Sequence, residues 1–230
     1  MNLLAIDSAS SILSIAIFAN DKFYVDEKDA RTSHSEYVMD MIDQLVKKAR
    51  VNARKLDGIV CMGGPGSFSG LRIGFSAAKG LSLALGIPFA PILSLDCIAA
   101  PFSNTDFVIP VIPAHKNAYF FALYRQGKIE SPVYDEEIKN INELFENDTF
   151  NVKDIVLTGP GSDTLYQSVS LKAQNRISLA FTKKGYSKEL IEIANKNKLF
   201  DNINKAWYYQ GPDYFRKTDA EKQLAINTGA

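Results

Sequence analysis

Gly63-Gly64-Pro65-Gly66-Ser67-Phe68-Ser69-Gly70-Leu71-Arg72-Ile73-Gly74 is the stretch on which the reading of this chain turns. An apolar run, Asp57 to Met62, precedes it as a buried strand, and a helix is predicted from Leu71 to Leu85 after it. Glycines between a strand and a helix let the backbone approach an anion, and the helix start supplies unpaired amides and a positive dipole end. Gly64, Gly66 and Ser67, with Asp7 and Ser8 at the end of the first strand, are therefore candidate nucleotide or phosphate contacts. The segment is not a Walker loop, because Leu71-Arg72 stands where Gly-Lys-Ser/Thr is required. It is not a dinucleotide fingerprint either, since Ser69 occupies the place of the third glycine. A tight turn capped by Ser69 accounts for the same residues without a ligand, and both readings stand.

The helix that follows is apolar nearly all round, through Leu71, Ile73, Phe75, Ala77, Ala78, Leu81, Leu83 and Leu85, and Gly86 and Pro88 end it. Its small residues Gly74, Ala77, Ala78 and Gly80 permit close approach of another helix. One face is expected on its own sheet and another on a partner subunit; a core helix wholly covered by its own chain is the alternative.

Upstream, Leu3 to Ile6, Ser11 to Phe18 and Lys22 to Asp26 read as strands, and Ser35 to Arg50 reads as an amphipathic helix with Val38, Met41, Ile42 and Leu45 at three- and four-residue steps. Downstream, polar residues around 101–106 mark a boundary. Strands are then expected at Phe107 to Ile112, Ala118 to Tyr124, Lys128 to Ser131 and Asp154 to Thr158, with helices at Asn142 to Glu146 and Ser187 to Lys198. The recurrence predicts two lobes, 1–105 and 106–205, of an α/β, actin-like and ribonuclease H-like fold with a cleft between them. The aromatic segment 206–230, beginning Trp207-Tyr208-Tyr209, is expected to dock on the body.

Twenty-six basic and 26 acidic residues give a formal charge of zero, so no overall field draws the chain to a polyanion. The chain opens Met1-Asn2-Leu3-Leu4 with no basic leader and contains no apolar stretch of membrane-spanning length, so a cytoplasmic location is expected. Cys61 and Cys97 have neither zinc nor redox spacing and read as buried thiols. His34 and His115 form no ligand pair for a metal. Asp7 could orient hydrated magnesium in a kinase-like cleft, but no second acidic residue ends a neighbouring strand, which favours a hydrogen-bonding role. Ser67 lacks the Gly-x-Ser-x-Gly context of an acyl-enzyme nucleophile.

Leu4-Ala5-Ile6-Asp7-Ser8-Ala9-Ser10, the stretch Gly64 to Gly74, Ala78-Lys79-Gly80-Leu81, Pro88, Ser94-Leu95, and Tyr214-Phe215-Arg216 with Ala220-Glu221 together resemble the TsaB (YeaZ) family. The match is dense over the first hundred residues and thin beyond. Ser69 replaces the usual threonine of the signature and keeps its hydroxyl; Ala114-His115-Lys116-Asn117 stands in place of Asp-Ala-Arg, so no role of that aspartate or arginine is carried over.

The resemblance implies a non-catalytic scaffold for threonylcarbamoyladenosine modification of tRNA, partnered by the TsaD transferase and by TsaE, and homodimeric when TsaD is absent. It implies that tRNA is met only through the complex, and that the chain alone requires no cofactor, with ATP or ADP at the complex interface. It places Leu71, Gly74, Phe75, Ala77, Ala78 and Leu81, beside Val38, Met41 and Ile42, at the partner interface. A small-molecule kinase or ATPase of the same superfamily is the competing reading, and a peptidase is the weakest.

Overall fold

The computed structural model describes residues 1–215 apart from 32, 116, 148–151, 153, 182 and 202–204, with backbone alone at 205 and 206. The first lobe contains β1 (Leu3–Asp7), β2 (Ile12–Ala19), β3 (Lys22–Asp29), α1 (His34–Ala49), β4 (Gly58–Gly64), α2 (Phe68–Leu85), β5 (Phe89–Leu93) and α3 (Ser94–Ala99). Its sheet runs β3-β2-β1-β4-β5. β1 pairs antiparallel with β2 and parallel with β4, so it is central and buried on both faces, as its unbroken apolar run requires. β3 lies at the edge, where Lys22, Asp26, Lys28 and Asp29 discourage further strand pairing.

The second lobe contains β6 (Phe107–Pro113), β7 (Ala118–Phe121), β8 (Tyr124–Arg125), β9 (Lys128–Ile129), β10 (Tyr134–Glu137), α4 (Ile138–Glu146), β11 (Ile155–Thr158), α5 (Ser162–Ser168), α6 (Leu171–Gln174), β12 (Ile177–Ala180) and α7 (Ser187–Lys196). Its sheet runs β10-β7-β6-β11-β12, with β8 attached to β6 and β9 to β8. Around each central strand the pairing is the same: two antiparallel neighbours on one side, two parallel on the other. The fold is the duplicated α/β arrangement of actin-like proteins.

Side-chain alternation divides the core. Leu4, Ile6, Leu13, Ile15 and Ile17 face α1 and α2, meeting Val38, Ile42, Leu45 and Phe75. Leu3, Ala5, Ala16 and Val60 point the other way, into a cluster with α3, α7 and the inner face of the second sheet. α7 thus returns from the second lobe to pack on the first.

Three local expectations change. Ser67, not Ser69, caps α2, its Oγ accepting from the Gly70 amide at 3.3 Å. The outer strand of the second sheet is Tyr134–Glu137; Lys128–Ile129 pairs only with β8 as a short hairpin. β5, α5, α6 and β12 are not anticipated by the sequence pattern, being short and without a long periodic run. Arg216, Ala220 and Glu221 of the closing motif, and Lys116, lie outside the described residues.

Candidate functional site

The glycine-rich loop packs against the turn after β1. Ser67 N donates to Ala9 O at 2.7 Å, and Ser8 Oγ donates to Gly70 O at 2.7 Å. A side chain at Gly66 would come within 2.8 Å of Ala9, and one at Gly70 or Gly74 would run into the Ser8 carbonyl or hydroxyl. Gly64, at φ 117°, passes against the Asp213 carbonyl. The glycines are therefore required by packing within the chain, whatever else they touch.

Of the candidate contacts, Gly66 and Ser67 line a cleft of about 790 Å³ between the lobes, together with Ser10, Arg31, Phe120, His115 and the tail residues Asp213 to Phe215. Asp7 is 1% exposed, and its two oxygens accept from Ala9 N at 3.0 Å and Tyr186 N at 2.8 Å. Burial, opposed by those two amide bonds and aided by the charges of Glu27 and Glu189, raises its pKa to about 6. Asp7 thus clamps the N-terminus of α7 to the first lobe, buried and with both oxygens already accepting an amide hydrogen. Ser8 and Gly64 are likewise engaged internally, so the five candidates divide and do not converge on one ligand.

Acid–base and nucleophilic groups are scarce. No cluster of three His, Cys, Asp or Glu side chains that could hold a metal occurs among the described residues. Burial pushes the Cys61 thiol up to about 12 and raises Cys97 well above its ordinary value, so neither is a thiolate at neutral pH. His34 Nε2 lies 2.9 Å from Ser10 O, and burial lowers the pKa of its ring.

The tail forms one wall of the cleft. Tyr208 packs edge-on against Phe89 at 5.4 Å, and Lys79 Nζ donates to the carbonyls of Tyr208 and Gln210. Asp213 N donates to Gly63 O at 2.8 Å. Tyr214 lies on Phe68 at 4.5 Å and accepts from Arg72 Nε at 3.0 Å, while Phe215 reaches Phe120 of the second lobe at 6.4 Å. The aromatic tail is conspicuous in the sequence, but its position across the cleft mouth depends on side-chain contacts far apart in sequence.

The family "TsaD: tRNA N6-adenosine threonylcarbamoyltransferase" matches residues 25–224. A Buchnera aphidicola protein (subsp. Schizaphis graminum), "tRNA threonylcarbamoyladenosine biosynthesis protein TsaB", is 30% identical over 76% of this chain and 85% of its own length. The chain belongs to the TsaB (YeaZ) family. A second Buchnera relative of the same name (subsp. Baizongia pistaciae) is 28% identical over 86% of this chain and 90% of its own length. A Pseudomonas aeruginosa structure described as similar to peptidase YeaZ superposes with a TM-score of 0.78 at 18% identity, covering 94% of this chain and 99% of that one, which speaks to the fold.

In this TsaB-family chain the residues assigned to a partner interface lie mostly inside its own core. Val38, Met41, Ile42, Leu71, Phe75 and Ala78 are all at or below 6% exposure. Gly74 is buried against Ser8, and Ala77 and Leu81 are half-buried. They pack α1 and α2 on the sheet and on each other, which corrects their placement at the partner interface. The alternative of a fully covered α2 also fails. Ser69, Arg72, Ser76, Gly80, Leu83 and Ala84 are exposed, Leu83 to 74%.

Proposed function

We propose that the chain is a non-catalytic scaffold subunit in tRNA threonylcarbamoyladenosine biosynthesis, holding the TsaD transferase through the open flank of α2 and admitting TsaE to the same assembly. One observation carries this reading: a mid-helix flank of small and apolar residues, Ser76, Gly80, Leu83 and Ala84, is exposed, and a Cβ added at Gly80 would meet nothing within 4 Å. A glycine inside a helix costs about 1 kcal/mol relative to alanine, and no neighbour within the chain requires it here. Close approach of another helix would. Met39 on α1 is a further exposed apolar side chain, at 49%. Two copies would meet through the same flank by two-fold symmetry when the transferase is absent.

A kinase-like role is disfavoured by the engagement of both Asp7 oxygens with backbone amides. ATP or ADP therefore belongs at the complex interface, and tRNA is met by the assembly. No helix among the described residues is long and apolar enough to cross a membrane. The cytoplasm is the compartment the reading implies.

The test is co-purification with TsaD and a threonylcarbamoyl transfer assay with and without this chain, repeated with Gly80→Arg. Transfer that depends on the chain and is lost with Gly80→Arg, while the variant stays folded, supports the reading. Full transfer by TsaD alone, or undiminished association of the variant, removes it.

A further inference from the structure

The formal charge of zero conceals a segregation. β1 and β4 start side by side, Leu3 opposite Gly58, at the end of the first lobe remote from Asp7. The chain following α1 arrives there: Asn2 Nδ2 donates to Lys55 O at 2.9 Å, and Asp57 N donates to Asn2 O at 2.8 Å. The chain following α7 arrives there too, since a side chain on Gly58 would come within 2.7 Å of the Phe200 ring. This end therefore gathers Lys48, Arg50, Arg54, Lys55, Lys196 and Lys198, all exposed, along with the amino terminus. Among the described residues none of those six side chains makes an ion pair, whereas Lys47 is held by Asp43 at 2.6 Å. Two carboxylates lie in the same connecting segments, Asp57, which accepts from Asn2 N at 2.5 Å, and Asp201.

Helix dipoles account for only part of the cluster. Each helix C-terminus is equivalent to about −0.5 charge, so the ends of α1 and α7 offset about one of the cations. Arg54 and Lys55 belong to a short 3-10 turn outside both helices. Arg50 at φ 52° and Lys198 at φ 50° occupy left-handed positions where glycine or asparagine is the relaxed choice. A cation is kept at each at a local cost of about 1 kcal/mol.

We propose that this basal end of the first lobe is a contact surface for the phosphate backbone of a structured RNA. The cations are long, exposed and spread over three segments, which suits tracking of a polyanion and not the capture of one small anion. Among the described residues, Met1 aside, no exposed large apolar side chain accompanies them, which disfavours insertion into a membrane surface. The identity of the RNA rests on the proposed function, which makes it transfer RNA; the surface lies at the end of α1 and leaves the mid-helix flank of α2 free for the transferase.

The experiment measures fluorescence anisotropy of labelled transfer RNA with the chain assembled on TsaD, across a salt series, for wild type, for Lys48→Glu/Arg50→Glu/Arg54→Glu/Lys55→Glu and for Arg50→Gly. The quadruple variant is expected to bind at least tenfold more weakly at moderate salt and to lower the slope of log K against log salt by about 1 for each phosphate no longer neutralised. Arg50→Gly relaxes the left-handed position, so weaker RNA binding by a variant of equal or greater thermal stability cannot be ascribed to misfolding. Unchanged affinity and slope in both variants overturn the inference, as does loss of binding to phosphatidylserine vesicles with RNA binding intact. If transfer needs the chain but the charge reversals leave RNA binding untouched, only this inference fails. If transfer does not need the chain, the scaffold reading fails instead.

Discussion

Gly80→Ala separates what the chain needs for itself from what it offers a partner. The Cβ added at residue 80 would have nothing within 4 Å, whereas at Gly70 and Gly74 on the same helix it would meet Ser8. Alanine exceeds glycine in a helix interior by about 0.8–1 kcal/mol, and no neighbour is disturbed, so the isolated chain should gain about that amount. For a chain of this length about 1 kcal/mol corresponds to about 2–4 °C in Tm. Thermal unfolding at low protein concentration reads the intrinsic gain, and a concentration series separates it from self-association. In the complex the sign should reverse: a methyl forced into a close helix–helix contact costs about 1–3 kcal/mol, or about 5-fold to 150-fold in affinity. A variant that is more stable alone but weaker in TsaD binding supports the assignment. A lower Tm would mean that Gly80 is required by the fold; unchanged affinity would mean that the flank is not an interface.

Asp7→Asn should flatten the pH dependence of stability. The folded pKa of about 6 lies above the ordinary 3.8, so the folded state holds the proton more tightly. Wild-type stability therefore falls as pH rises from about 4 to about 6, by about 3 kcal/mol in all, and levels off above, as urea midpoints across pH 4–8 would register. Gly185→Ala should destabilise by about 1–3 kcal/mol in chemical unfolding, because its Cβ would run into Ser14 of β2. Tyr214→Ala removes the ring on Phe68 and the bond from Arg72, so the tail should become cleavable by limited proteolysis at unchanged core stability.

The parts of this fold that could be read in the sequence are those in which periodicity and burial coincide. β1, β2, α1 and α2 carry long apolar patterns, and their observed limits differ from the expected ones by a few residues at most. β5 and β12 are short strands whose place is decided by parallel pairing with β4 and β11, which no local pattern encodes. The candidate site was legible as a set of residues and not as a geometry. Gly66 and Ser67 do reach the cleft, but Asp7 is turned inward by an amide 179 positions away, at Tyr186. The apolar positions of α2 gave its buried face correctly as apolar, yet hydrophobicity cannot distinguish a side chain covered by its own sheet from one reserved for a partner. Exposure settles that, and it shifts attention from Ala78 to Gly80 and Leu83.

The bonds across the two lobes bear on whether this cleft can work as an enzyme's would. Catalysis in a two-lobed fold requires opening to admit substrate and closure to exclude water, with a hinge that absorbs the change. Here the return segment into α7 is fixed at three consecutive points: Gly185 N donates to Glu27 Oε1 at 3.0 Å, Tyr186 N to Asp7, and Ser187 Oγ lies 2.6 Å from Ser14 Oγ. The opposite side is bridged by the tail, which bonds to Gly63 and places Phe215 near Phe120. The first set of bonds fixes α7 to the first-lobe sheet, so α7 moves with that lobe, and losing any of these buried polar partners would cost about 1–3 kcal/mol per group. α7 is thereby part of the first-lobe core, which predicts that hydrogen exchange at Tyr186 and Ser187 is as slow as in the core of β1.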